Sequence, residues 1–215
     1  MKDQVYFFCK RTIDIILSVI LLIIFFPISL ITAILIKLET PGPVFADTPP
    51  RVGKDGKLFK IYKFRSMIAN AHYLLKTDPQ FKNLLEEYKK NSYKLIDDPR
   101  VTKVGKFIRK HSIDEIPQLI NVLKNEMSIV GPRPYYQDEL EEQQKKYPQT
   151  RGLVKEVLRI KPGITGLWQI SGRSKINFDK RIQIDAYYAK KKSLLLDLKI
   201  LFKSPLVMIT GKGAA

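Results

Sequence analysis

Two adjacent carboxylates, Asp114 and Glu115, are the residues of this sequence best suited to chemistry. They follow a cluster of cations and precede apolar residues at helical spacing between Pro117 and Met127, which predict a helix. The pair therefore lies at or just before a helix start, where free backbone N–H groups and the helix dipole favour negative charge. A carboxylate is a competent nucleophile towards phosphorus, and adjacent carboxylates together with substrate phosphates suit Mg²⁺.

The same segment also has a purely structural explanation. Ser112 and Glu115 have the spacing of a capping box, in which both side chains satisfy backbone N–H groups at the start of a helix. Acidic residues are common in a first helical turn for the same electrostatic reason. Short motifs of this kind also match by chance, so the role of these carboxylates depends on the rest of the chain.

Composition narrows the classes of function. The 215 residues suit one domain with a short additional segment, and the net charge of +17 indicates an anionic partner: nucleic acid, an acidic membrane surface or a phosphorylated substrate. The single cysteine, Cys9, excludes an internal disulfide, and no group of residues has zinc-ligand spacing. With His72 and His111 as the two histidines, a histidine-based metal centre is not expected.

The N-terminal part of the chain predicts a membrane anchor. Residues 13–38 are almost wholly apolar, longer than a signal peptide's apolar region and longer than the roughly 20 residues that span a bilayer. Pro27, near the middle, removes a helix hydrogen bond and predicts a break, and basic residues flank both ends, as on the cytoplasmic side of a membrane. We therefore predict a re-entrant helix–break–helix over residues 1–39, with a simple transmembrane helix as the alternative.

A second domain is predicted over residues 40–215, after the stop signal Thr40-Pro41-Gly42-Pro43. Residues 51–65 resemble a β-hairpin around the turn Asp55-Gly56. The hairpin is rich in cations, which could be solvent-exposed, contact lipid headgroups or bind phosphate. The apolar stretches of residues 178–209 are too short to span a membrane and predict amphipathic helices at the interface or against the core.

Two arginines are presented stiffly on loops. Arg133 stands between prolines and Arg173 follows a glycine. A guanidinium held in this way suits a bidentate contact with phosphate better than a mobile surface cation does.

Taken together, these motifs identify a family. The chain resembles the bacterial sugar transferases that are monotopic polyprenol-phosphate phosphoglycosyl transferases, and the resemblance covers residues 10–201. Each motif alone is weak, but their occurrence in this order is specific. The motifs are Thr40-Pro-Gly-Pro43, Arg51-Val-Gly53, Lys63-Phe-Arg-Ser-Met67, Ser112-Ile-Asp-Glu-Ile-Pro-Gln118, Gly131-Pro-Arg-Pro134, Pro162-Gly-Ile-Thr-Gly-Leu-Trp-Gln169, Gly172-Arg173 and Leu196-Asp-Leu-Lys199.

The resemblance implies an activity. Similar enzymes transfer a sugar-1-phosphate from a UDP-sugar to undecaprenyl phosphate and release UMP, which is the first membrane step of a capsule, O-antigen or other glycoconjugate. They use an Asp-Glu dyad, Mg²⁺ and a covalent phosphosugar-aspartyl intermediate. By this resemblance Asp114 is the nucleophile, and Glu115 assists it in binding Mg²⁺.

The resemblance also implies partners for the remaining candidates. Phosphoryl transfer needs neutralisation of charge, and the cations expected to supply it are Lys63, Arg65, Arg109, Arg133 and Arg173. Within this set, Arg109 is expected near the polyprenyl phosphate and Arg173 near the nucleotide sugar, while Asp197 is expected to orient an arginine. Pro27 matches the proline at which the family's re-entrant helix breaks, although Phe26 stands where some members have serine.

The predicted architecture is an α-dominated α+β fold: a re-entrant anchor, a small β-hairpin and interfacial amphipathic helices. The catalytic domain is expected on the cytoplasmic face of the bacterial inner membrane, in contact with anionic phospholipid. Two other classes stay open: a membrane glycosyltransferase that releases UDP, and a non-catalytic basic module on a membrane surface. Nucleic acid is not an expected partner because it fits poorly with an apolar anchor. The sugar is left open between glucose or galactose and acetamido sugars, as is the oligomeric state.

Overall fold

Helices form most of the computed structural model, which describes residues 2–91, 93, 95, 97–172 and 176–210. The described α-helices are α1 Lys2–Glu39, α2 Ala71–Thr77, α3 Lys82–Lys90, α4 Lys103–Lys110, α5 Gln118–Leu123, α6 Gln137–Lys146, α7 Arg151–Val157, α8 Leu167–Ile170, α9 Phe178–Lys191 and α10 Leu194–Thr210. Short 3₁₀ turns cover Lys54–Gly56, Pro79–Phe81, Ile113–Glu115 and Pro148–Thr150. The strands are β1 Arg51–Val52, β2 Leu58–Phe59, β3 Ser128–Val130, β4 Tyr135–Tyr136 and β5 Gly163–Thr165. The expectation of a helix-dominated fold with small sheets is confirmed.

Helix α1 contains the predicted anchor. Among the described residues it is the one helix long and apolar enough to cross a membrane, and only 11% of its most apolar window is buried. Pro27 lies inside this helix, so the predicted division into two helices at Pro27 is not seen. Because a proline can bend a helix without ending it, the re-entrant course stays a prediction.

Both ends of α1 are fixed to the rest of the molecule. Near the first end, the Arg11 guanidinium donates to the carbonyl oxygens of Val122 and Leu123, at 2.6 and 3.0 Å, where α5 ends. At the other end, the Glu39 carboxylate accepts the N–H groups of Lys103 and Val104 at the start of α4. Charged side chains that bond to opposite helix ends in this way also match the helix dipoles.

The sheets are small and come from distant parts of the chain. Strands β1 and β2 form the predicted hairpin, with Asp55 and Gly56 in left-handed conformations at its turn, and β4 pairs antiparallel with the other side of β1. The hairpin is shorter than expected, because its paired strands end at Phe59. A second pair, β3 with β5, is parallel and joins Ser128 to Gly163 in register.

Three apolar clusters hold these elements together. One lies between α6, α7 and α9 and includes Phe178 and Ile182, and a second joins α5, β3, α9 and α10 through residues such as Val122 and Ile200. A third is small and packs Ile36 of α1 against Phe64 and Ile108. The third cluster therefore anchors the end of α1 directly beside the segment that carries the candidate site.

Candidate active site

The predicted nucleophile lies in a sharp chain reversal between two helices. Helix α4 ends at Lys110, and Asp114 lies in the following 3₁₀ turn, Ile113–Glu115, just before α5. Ser112 makes the reversal in a left-handed conformation, with φ of 57°, which is uncommon for a residue with a Cβ atom. A strained position of this kind persists only where the surroundings fix it.

The capping-box explanation of this segment is not borne out. The Ser112 side chain makes no cap hydrogen bond to the turn that follows. Helix α5 is also shorter than the predicted Pro117–Met127 and covers Gln118–Leu123.

Asp114 is only 2% exposed. Burial of a carboxylate is costly without compensation, so its partners decide what it can do.

The partner of Asp114 is Lys63. The Lys63 Nζ lies 2.7 Å from Asp114 Oδ2 and 3.8 Å from Glu115 Oε1, so one ammonium serves both carboxylates. The Lys63 side chain is 26% exposed, whereas the Asp114 side chain is 3% exposed. The cation is therefore accessible from one side while the carboxylate behind it is not.

Backbone hydrogen bonds fix Lys63 in this position. Phe64 donates its N–H to the carbonyl oxygen of Asp114 at 2.9 Å, and the Lys63 carbonyl accepts from Ala46 at 2.8 Å. The segment is thus held between the 3₁₀ turn on one side and an extended segment on the other. Two regions about fifty residues apart in the sequence meet at one ion pair, which a local pattern could not reveal.

A cavity of about 310 Å³ opens beside this pair. Its lining includes six of the predicted site residues: Lys63, Arg65, Arg109, Asp114, Glu115 and Arg133. Two carboxylates and four cations from four separate segments therefore share one cavity. This arrangement is suited to an anionic ligand that brings phosphate oxygens next to a carboxylate.

Arg65 is the member of this set with a clear structural role. Its guanidinium donates to the carbonyl oxygens of Pro41, Thr40 and Ile36, at 2.5, 2.7 and 3.3 Å. These contacts satisfy carbonyl groups at the end of α1. The side chain is 4% exposed, so its contribution to phosphate binding stays a prediction and its contacts to the anchor are what the structure shows.

Arg133 is presented by two glycine motifs that pack against each other. A Cβ atom on Gly163 would lie 2.0 Å from the Gly131 nitrogen, and one on Gly131 would lie 2.7 Å from the Gly163 nitrogen, so neither position tolerates a side chain. Gly163 donates its N–H to the Pro132 carbonyl at 2.8 Å, and the Arg133 guanidinium lies over the Trp168 ring at 5.2 Å. The rigid presentation predicted for Arg133 therefore comes from close backbone packing as well as from its prolines.

Asp197 is a predicted site residue that lies away from this cavity. Asp197 accepts hydrogen bonds from Lys10, Tyr6 and Tyr188, at 2.8, 3.0 and 2.6 Å. No arginine is among its partners in the described part of the chain, so its orientation of an arginine stays a prediction. These contacts join α1, α9 and α10, and Asp197 is not among the described residues that line the cavity. Arg173 falls outside the described residues.

The structure adds residues to the candidate site that were not among the predicted phosphate contacts, although Arg51 belongs to one of the family motifs. Arg51 stacks on the Tyr136 ring at 3.2 Å, and both line the cavity together with His72. Burial, assisted by nearby cations such as Lys76, lowers the pKa of His72 to about 4, so its imidazole is neutral at pH 7. The His72 Nε2 has no hydrogen-bond partner in the described part of the chain. The signal for Arg51 and Tyr136 is the pairing of β1 with β4, which no local pattern predicts.

The residues present fit a divalent cation of the Mg²⁺ type. The described residues contain no group of three or more His, Cys, Asp or Glu side chains that could enclose a metal by themselves. Asp114 and Glu115 nevertheless share one ammonium group, which shows that a cation is favoured between them. One or two carboxylates completed by substrate phosphates is the donor set that Mg²⁺ commonly takes.

Comparisons with known proteins identify the group to which this arrangement belongs. A family model described as bacterial sugar transferase matches residues 5–211. The chain is 44% identical over 211 residues to the undecaprenyl-phosphate galactose phosphotransferase of Salmonella typhimurium, covering 96% of this chain and 42% of that protein. It is 40% identical over 205 residues to the exopolysaccharide production protein ExoY of Sinorhizobium fredii, covering 95% and 87%.

A third relative carries a different sugar in its name. The chain is 41% identical over 217 residues to the UDP-N-acetylgalactosamine-undecaprenyl-phosphate N-acetylgalactosaminephosphotransferase of Aeromonas hydrophila, covering 100% of this chain and 47% of that protein. The chain thus spans less than half the length of the Salmonella and Aeromonas relatives, at 42% and 47%.

Proposed function

The chain belongs to the bacterial sugar transferase family, and we propose that it transfers a sugar-1-phosphate from a UDP-sugar to undecaprenyl phosphate. The relatives named for undecaprenyl phosphate as acceptor support this activity. The observation that carries the proposal is the buried Asp114 carboxylate, which faces a cavity lined by cations through one displaceable ammonium group. We expect the product to open the assembly of an exopolysaccharide, capsule or other surface glycan.

We propose a double displacement at Asp114. In the first step the Asp114 carboxylate attacks the phosphorus that bears the sugar, an acyl phosphate bond forms, and the bond to the UMP oxygen breaks. In the second step an oxygen of undecaprenyl phosphate attacks the same phosphorus, and Asp114 leaves as a carboxylate. Two displacements of this kind replace one difficult encounter between two anionic substrates.

Lys63 has two roles in this proposal. In the absence of substrate its ammonium group offsets the cost of burying the Asp114 charge, at 2.7 Å. When a diphosphate enters the cavity, the same ammonium group can move to a phosphate oxygen, because its side chain is partly exposed. The attacking carboxylate is released in the same movement that neutralises the developing charge.

Asp114 and Glu115 are the residues that would hold Mg²⁺. A bound Mg²⁺ ion would neutralise phosphate oxygens and reduce their repulsion of the carboxylate nucleophile. Arg133, kept rigid over Trp168, would bind a further phosphate oxygen, and Arg109 borders the same cavity for the acceptor phosphate. Arg173 is proposed to contact the nucleotide sugar, by family resemblance.

The attachment of α1 supports a re-entrant anchor. Its first part bonds to α5 through Arg11, and its last residue bonds to α4 through Glu39, so both ends contact the same catalytic domain. A straight helix across the bilayer would put those two contacts on opposite faces. We therefore propose that both ends lie on the cytoplasmic face, with the exposed apolar side chains of residues 15–35 in one leaflet.

The activity is tested by nucleotide release. Purified protein with Mg²⁺ and undecaprenyl phosphate is incubated with UDP-glucose, UDP-galactose and their N-acetylated counterparts, and the released nucleotide is identified. We expect UMP from one donor or a small group of donors. UDP as the product would instead establish transfer of the sugar without its phosphate and refute the proposal.

A further inference from the structure

A second cavity of about 280 Å³ lies at the start of the anchor and shares no lining residue with the cavity at Asp114. It is formed where α1 meets β3, the segment before β5 and the end of α9. Five cations from four segments line it: Lys10, Arg11, Lys54, Lys161 and Lys192. Asp14 is the one carboxylate among its described lining residues, and it accepts the N–H of Ile129 at 3.0 Å.

The positive charge of this anchor cavity is only partly compensated. Lys10 pairs with Asp197 at 2.8 Å, while Lys192 and Lys54 lie 3.6 and 4.0 Å from the exposed carboxylates of Asp3 and Asp55. The Arg11 guanidinium donates to two backbone carbonyl groups, which carry no net charge. Lys161 contacts the neutral Asn125 amide oxygen. Burial lowers the pKa of Lys161, and the nearby Arg11, Lys54 and Lys10 cations lower it further, against the opposing effect of Asp14. An anion in the cavity would relieve this repulsion.

Ser128 provides an independent sign of a ligand. It lines the anchor cavity and is 2% exposed, and its hydroxyl has no hydrogen-bond partner in the described part of the chain. Buried hydroxyl groups nearly always have a partner, since an unsatisfied one costs free energy. A phosphate oxygen is an acceptor that this hydroxyl and the surrounding ammonium groups can share.

We propose that the anchor cavity is a binding site for a phosphate group, separate from the site of transfer. The apolar part of α1 begins at Ile13, two residues after Arg11, so the cavity lies where the anchor would enter a membrane. Phe7, partly exposed, also lines the cavity and gives one wall an apolar surface. Cations, a hydroxyl and an apolar wall at this depth match the phosphate of an anionic phospholipid.

The site is tested by ligand titration of the full chain in dodecyl maltoside, a detergent without phosphate. Dihexanoyl phosphatidylglycerol and inorganic phosphate are titrated separately at constant ionic strength, and the rise of the melting midpoint gives an apparent dissociation constant. The test variants are Lys54→Gln/Lys161→Gln and Ser128→Ala. The control, Lys82→Gln/Lys145→Gln, loses the same charge from exposed lysines outside both cavities.

We expect phosphatidylglycerol to bind about tenfold more weakly to Lys54→Gln/Lys161→Gln than to the wild type, since two charge-assisted contacts are lost. The control should bind it with the wild-type affinity. Ser128→Ala should bind about threefold more weakly with an unchanged ligand-free midpoint, because its hydroxyl has no protein partner to lose. If inorganic phosphate binds the wild type as tightly as phosphatidylglycerol does, and is weakened by the same variants, the site is supported with free phosphate as its ligand. Equal weakening in cavity and control variants, or no weakening in either, would overturn the proposal. None of these outcomes depends on the transfer reaction.

Discussion

Two ion pairs of this protein can be compared. Asp114 lies 2.7 Å from Lys63 beside the cavity of the candidate active site, and Glu139 lies 2.6 Å from Arg181 in the core. Their surroundings differ. Glu139 and Arg181 are both fully buried, and the guanidinium also lies over the rings of Tyr135 and Phe178. The Lys63 side chain, by contrast, is partly open to the cavity.

This difference separates a structural ion pair from a chemical one. A fully enclosed pair cannot exchange partners without leaving a buried charge uncompensated, so its role is to connect α6 with α9. In a pair with one open side, the cation can move to a phosphate oxygen of the substrate. The carboxylate is then available to react with the phosphorus.

The largest effect is expected for Asp114→Asn. The variant keeps the size of the side chain but removes the nucleophilic oxygen anion, so UMP formation should fall by at least about a thousandfold. The measurement is the rate of UMP release with undecaprenyl phosphate. Glu86→Gln, which removes one exposed carboxylate from α3, is the matched control and should retain normal activity. A fully active Asp114→Asn enzyme would exclude this residue as the nucleophile.

The core pair should show the opposite behaviour. Arg181→Met leaves Glu139 buried without its cation, which should reduce the free energy of unfolding by about 3–5 kcal/mol. For a chain of this size that corresponds to a melting temperature lower by about 10 °C. Activity per folded molecule at low temperature should fall far less than in Asp114→Asn. The double change Glu139→Leu/Arg181→Met should recover much of the lost stability, and failure to recover it would show that the charge is not the cause.

Lys63→Met sharpens the comparison within the cavity. Loss of the ammonium group should reduce UMP formation by about a hundredfold, since one positioned charge that stabilises a phosphoryl transition state is removed. Its effect on melting temperature should be smaller than that of Arg181→Met, because loss of the ammonium group opens Asp114 to the water of the adjoining cavity. Lys60→Met, three residues earlier and exposed, is the control. An equal loss of activity in both variants would point to a general effect of surface charge.

The smallest effect concerns Asp185, which accepts hydrogen bonds from Tyr135 and the Arg133 backbone. Burial raises the pKa of its carboxyl to about 7, against the opposing effect of these two hydrogen bonds and of the Arg181 and Arg133 cations. The folded protein therefore holds a proton that the unfolded chain releases near pH 4, and stability falls as pH rises from about 4 to 7. Relative to Asp185→Asn, the wild-type melting temperature should fall by about 3 °C per pH unit from pH 5 to 7. Parallel pH profiles would contradict this.

The sequence predicted those features that depend on residues close together in the chain. The adjacent carboxylates, the apolar anchor and the Asp55-Gly56 turn are local signals, and the structure contains the corresponding carboxylate pair, helix and hairpin. About half of the described residues that line the cavity at Asp114 belong to the family motifs. Long-range pairing was not predictable, since the stacking of Arg51 on Tyr136 depends on β1 joining a strand about eighty residues away.

At Ser112 and Asp197 the structure differs from what the sequence alone indicates, and each difference has a physical cause. Ser112 and Glu115 have capping-box spacing, but the left-handed backbone at Ser112 starts a 3₁₀ turn and the hydroxyl does not cap it. The family resemblance gives Asp197 an arginine as its expected partner, whereas its carboxylate contacts Tyr6, Lys10 and Tyr188 in the described part of the chain. The contacts of Asp197 depend on packing between distant segments, which a sequence pattern does not encode.

The most direct test of the account is the mass of the intact protein after incubation with a UDP-sugar and Mg²⁺ in the absence of undecaprenyl phosphate. We predict a species heavier by one sugar phosphate, located on the peptide that contains Asp114 and absent from Asp114→Asn. Addition of undecaprenyl phosphate should remove it. An unmodified enzyme under conditions in which UMP is produced from the same donor would contradict the double displacement at Asp114.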